Sequence, residues 1–212
     1  MANRWIVCLS LVLCACAHAP GGHRAPDGEA EKIARKVGPG VEYLGIACSP
    51  QDFGQGQKNG QCIAARAHDA VPGQGSGGIQ VAYVFRAREP IDVWRVWATA
   101  QHPTRRMGRW WAPEMPTGTR DQYRNDYEVC VIFNGLENLV RCRLKPGTVF
   151  AAGDGEDVSA RLCDSATEKY PPSKKVQVFL YNPEAEVADC TDWHIGATFR
   201  DLMPYTFQQS CR

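Results

Sequence analysis

The chain has 212 residues, a formal net charge of +1 and an ordinary hydrophobic content of 44%. That length suits one domain with its own core, and the near-zero charge gives no whole-chain field that would draw the protein to nucleic acid or to a membrane surface. Beyond the N-terminus no apolar stretch approaches the length of a membrane span.

The first element is an address. Arg4 precedes an apolar run over residues 5–17 that is too short to cross a bilayer and ends in small residues, the pattern of an export signal. Within it, Leu13-Cys14-Ala15-Cys16 resembles the signal of bacterial lipoproteins, where a Leu three residues before a Cys, and a small residue just before it, mark cleavage and lipidation. The resemblance implies a signal peptide over residues 1–15 and a lipid on Cys16. Because Ala17 rather than Asp follows, it also implies an outer-membrane anchor facing the periplasm or the cell surface. Ordinary cleavage after Ala17, giving a free secreted protein, is the alternative. Residues 16–28 hold Pro20, Gly21, Gly22 and Pro26 and almost nothing to bury, so they read as a tether. Residues 29–212 then form a single domain.

That domain reads as mainly β. Residues 30–37 favour a helix, with Asp27 as cap and Gly38-Pro39-Gly40 as stop. Strands are expected at 41–48, 79–86, 91–99, 127–134, 139–144, 148–152 and 175–181, with a second short helix near 164–169. The clearest strand signal is the alternation of Ile79, Val81, Tyr83 and Phe85. Many short strands between Gly, Pro, Asn and Asp clusters predict an antiparallel sandwich or barrel-like domain; the pattern does not separate the two.

Seven cysteines lie beyond the signal: Cys48, Cys62, Cys130, Cys142, Cys163, Cys190 and Cys211. In an exported chain they read as disulfides, and the absence of any CxxC pair argues against a metal site. Cys48 and Cys62 flank a polar loop that a bridge would close. Folding residues 127–144 into a hairpin about Leu136 places Cys130 opposite Cys142, which predicts that bridge as well. Cys190 is then expected to pair with Cys211 or Cys163, leaving one thiol over.

The sequence carries no complete catalytic or cofactor motif. Gly73-x-Gly75-x-x-Gly78 has the spacing of a dinucleotide fingerprint but precedes a strand, not a helix. Residues 83–94 fail as the Arg-containing strand of secreted ADP-ribosyltransferases, because Val84 stands where that family has its Arg. The acidic stretch of Asp154, Glu156 and Asp157 lacks the Gly and Glu of a calcium loop, and reads as a solvated turn. Cys190 with His194 as a nucleophile pair, and Glu184 with Glu186 as an acid–base pair, are outweighed by a disulfide and a charged strand end.

One constellation points to binding. Residues 86–124 hold eight Arg, no Lys and four acidic residues, with Trp94, Trp97, Trp110 and Trp111 among them. Arg forks carboxylates and phosphates, Trp stacks on sugars, and both dominate protein interfaces. Arg105, Arg106, Arg109, Trp110 and Trp111 are the expected contact residues. Adjacent Trp110 and Trp111 point to opposite faces of any strand, so they cannot both be core. The sequence therefore predicts an exported, lipid-anchored, non-catalytic binding or inhibitor module whose partner is an envelope protein or an anionic glycan, with no cofactor, metal or nucleic acid. An envelope hydrolase acting on peptidoglycan or polysaccharide, and a structural lipoprotein of an envelope assembly, are the alternatives.

Overall fold

The computed structural model describes residues 28–49, 62, 68–71, 75–99 and 106–195. The expected signal peptide and tether with Cys16, and also Arg105 and Cys211, lie outside the described residues.

Helix α1 (Gly28–Val37) forms where the sequence places it, with Glu29 and Glu31 in its first turn and Arg35 and Lys36 in its last, each sign matched to the helix dipole. Its buried residues Ala30, Ile33 and Val37 recur at helical spacing and fix the face that packs on the sheets. Five strands follow in the order β1 (Val41–Ile46), β2 (Tyr83–Ala87), β6 (Val149–Asp154), β7 (Val176–Phe179) and β4 (Trp110–Trp111), forming one antiparallel sheet. A second antiparallel sheet has the order β3 (Ile91–Trp97), β5 (Asn138–Leu144) and β8 (Val187–His194). Among the described residues no barrel closes, and the fold is sandwich-like.

The main core lies where the two sheets and α1 meet. Phe85 and Phe150 from the larger sheet, Val93, Val140 and Leu144 from the smaller, and Ile33 and Val37 from α1 belong to one buried cluster. The sheets are also joined by backbone. Trp94 N donates to Ala112 O at 2.8 Å and Ala112 N returns to Trp94 O at 2.7 Å. Residues 110–112 thus bond to β7 on one side and to β3 on the other.

Several expectations are corrected. The strand expected at 127–134 is the end of helix α2 (Arg120–Tyr127) and a single 3-10 turn (Val131–Phe133). Thr119 Oγ1 caps the helix by accepting from Gln122 N at 3.1 Å, and Glu128 ends it in the left-handed region at φ 49°. The apolar Val131 and Ile132 are exposed rather than buried, so alternation misled there. With no hairpin about Leu136, Cys130 does not meet Cys142. Cys130 pairs with Cys163, and Cys142 pairs with Cys190 across β5 and β8, where the register slips between Arg141 and Arg143. The Cys48–Cys62 bridge is as expected. Strand β8 escaped notice because its Asp189, Thr191, Asp192 and His194 give no apolar alternation, as an edge strand requires none. Val81 is exposed, Ile79 makes an isolated bridge to Gly155, and β2 begins only at Tyr83. Residues 164–169 form no helix: a turn at Asp164, with φ 48°, leads into a bend and irregular chain.

Candidate functional site

Of the five residues singled out in the sequence Arg105 lies outside the described residues, and the other four do not form one open patch. Arg106 grips Asp192 of β8 with two bonds, Nε to Oδ1 at 2.8 Å and Nη2 to Oδ2 at 2.6 Å, and this pairing raises its pKa further. Trp111 is core, 2% exposed, with Nε1 donating to Gly108 O at 2.7 Å. Trp110 points the other way, as alternation demands, and stands edge-on to Phe179 with ring centroids 4.8 Å apart. Arg109 is exposed; its Nη1 donates to Asp69 Oδ2 at 3.1 Å, and its guanidinium lies 5.9 Å from the Phe179 ring centre and 5.6 Å from that of Tyr181.

Arg109, Trp110 and Trp111 nevertheless share a location. They line a cavity of about 530 Å³, within the usual size of a small-molecule site. Arg95 of β3 lines the same wall, held by Nη1 donating to Trp110 O at 2.5 Å. Tyr123 and Tyr127 of α2 and Phe133 of the following turn line the cavity too, and Tyr123 packs with Trp94 and Val96 of β3. Buried Arg124 fixes that side: its two nitrogens donate to Val129 O at 3.0 Å and Asn134 O at 2.7 Å, while Asn134 Nδ2 donates to Val96 O at 2.8 Å. The Cys130–Cys163 disulfide ties the same segment to the turn that carries Val158 and Leu162, both of which line the cavity.

Two polar side chains lie deeper. Gln177 of β7 and Glu128 are 5% and 6% exposed, and Gln177 Nε2 donates to Glu128 Oε2 at 2.5 Å. Burial pushes the Glu128 carboxyl up to about 8, outweighing Ser173 and Gln177, which favour its charged form. Gly155 packs against it: a Cβ there would stand 2.2 Å from Glu128 Oε2, so only glycine fits without displacement. Sequence reasoning missed this pair. The available signal was a polar Gln177 between Val176 and Val178 in a strand too apolar to have a wet face.

The discarded catalytic pairs stay apart from this cavity. Cys190 is in a disulfide, and His194 Nδ1 lies 2.8 Å from Asn138 Oδ1. Glu184 and Glu186 sit on the short helix α3 (Pro183–Glu186) rather than on a strand, and Glu186 Oε2 accepts from Asn182 N at 3.0 Å. Cys130, Cys163 and Glu168 cluster as metal ligands would, but both sulfurs are already bonded to each other.

No family model matches the chain, and no curated protein matches it. The solved structure titled "Structure of Tne2 in complex with Tni2" is similar at a TM-score of 0.40 and 12% identity, covering 58% of this chain and 97% of that one. A likeness at that level carries no conclusion about this protein.

Proposed function

We propose that the protein is an exported, lipid-anchored binding domain whose cavity takes a small anionic saccharide: a sugar bearing a carboxylate or a phosphate. One observation carries the reading. Arg109, Arg95 and Trp110 line one cavity together with Tyr123 and Tyr127 of α2, which puts anion-forking and aromatic groups in a single site of ligand size. Arg109 has donors beyond the one bonded to Asp69, and a guanidinium offers them in a planar fork. Three disulfides fit an oxidising compartment, which supports export. Of the two partner classes read from the sequence, the cavity favours the glycan over the protein, because an inward-facing site presents little contact area to a folded partner.

Calorimetric titration with glucuronic acid, N-acetylmuramic acid, glucose 1-phosphate and uridine monophosphate tests the reading and separates carboxylate from phosphate. Saturable binding of at least one probe, lost in Arg109→Ala while the melting temperature holds, is the expected result. Binding of none, or binding indifferent to Arg109→Ala, overturns it.

A further inference from the structure

We propose that Glu128 is a positioning residue that sets which end of the Gln177 amide faces the cavity, and so whether the site takes a hydrogen-bond donor or an acceptor from its ligand. The inference rests on the binding reading for the ligand, but on the fold alone for the Glu128–Gln177 geometry.

An amide has two unlike ends: its nitrogen only donates and its oxygen only accepts. Gln177 Nε2 donates to Glu128 Oε2, which leaves Oε1 as the end that Gln177 offers to the cavity it lines. In that state the site suits a ligand hydroxyl or N–H. A proton taken up from solvent by Glu128 changes the pairing. Oε1 makes no hydrogen bond among the described residues, so the proton finds its ready partner on the other oxygen. On Oε2 it is donated to Gln177 Oε1 once the amide turns about its last bond. The NH2 group then faces the cavity and suits a ligand acceptor, such as a carboxylate oxygen.

The surroundings hold Glu128 between the two states. Asp126, an anion two residues back, opposes its charge. Tyr127 is itself kept neutral, because burial pushes its phenol far up. From the segment before β7, Ser173 favours the charged form, while its hydroxyl donates to Asp126 O at 2.8 Å. From the end of β6, Gly155 brings bare backbone against the carboxylate. Burial is the largest influence and places the exchange near pH 8.

The test is a pH titration of the isotope-labelled full chain by NMR, following the Glu128 carboxyl carbon and the Gln177 side-chain NH2. The expected result is one shared midpoint near 8 for both signals, and a Gln177 signal that stops moving in Glu128→Gln. A Gln177 signal that stays constant through the Glu128 titration overturns the proposal, as does a Glu128 midpoint in the ordinary carboxylate range. If Glu128→Gln does not fold, the native chain alone decides by the same criterion. Because the titration is read on the free protein, failure of every sugar probe to bind counts against the binding reading and not against this one.

Discussion

Gly108 lies so close to Arg95 that a Cβ on it would stand 2.2 Å from Arg95 Nη2. The missing side chain is what lets the guanidinium reach the Trp110 carbonyl and stay on the cavity wall. Gly108→Ala should therefore displace Arg95 at a cost of about 1 kcal/mol in stability while weakening anion binding several-fold. Urea denaturation and titration with the best-bound sugar check both. Unchanged affinity would mean that Arg95 does not serve the site.

Arg109 and Trp111 should separate cleanly. Trp111→Ala removes a core ring and should cost about 3–5 kcal/mol. Arg109→Ala removes an exposed side chain whose pair with Asp69 is worth little and should leave the melting temperature nearly unchanged. The sequence alone puts both residues in one contact patch; thermal melts of the two variants distinguish a core residue from a rim residue.

Glu128 ties stability to pH with a definite sign. Its folded pKa of about 8 lies above the ordinary carboxylate value, so the folded state holds a proton that the unfolded chain has released. The contribution is fully present below the ordinary value and is lost as pH rises through about 8. Between about pH 5 and pH 9 the native protein should lose stability on the order of 4 kcal/mol relative to Glu128→Gln. Parallel curves for the two proteins would show that Glu128 titrates normally.

The disulfides should differ in what they hold. Removing Cys130–Cys163 by a double Ala variant should cost about 3–4 kcal/mol. It should also raise hydrogen exchange in the 129–136 segment that walls the cavity. Removing Cys48–Cys62 should cost a similar amount and leave that segment protected. Equal protection in both variants would show that Arg124 alone fixes the wall.

The proposed lipid anchor is checked by intact mass. A diacyl or triacyl addition on Cys16 with three disulfides is expected from native membranes, and an unmodified chain starting at His18 would make the protein a free secreted one.

Much of the fold was legible. Helix α1, six of the eight strands among the described residues and the Cys48–Cys62 bridge follow from periodicity, caps and loop composition. What failed did so where local pattern and burial part company. Val129, Val131 and Phe133 alternate like a strand, but Thr119 starts a helix that runs into them, and the error carried two disulfides with it. Trp110 and Trp111 drew attention by composition and do reach the cavity. Glu128 and Gln177 are common residues 49 positions apart, and only the tertiary fold sets the cap of α2 beside β7.

The paired backbone bonds between Trp94 and Ala112 stitch the two sheets into a belt on one side of the cavity, whereas the far side depends on the Cys130–Cys163 cross-link. The two sides would therefore mature at different times. A reduced chain can form the belt from hydrogen bonds alone, whereas its opposite wall has the Arg124 bonds but lacks its cross-link until oxidation. For a chain exported as proposed, the site would reach its full rigidity only in an oxidising compartment.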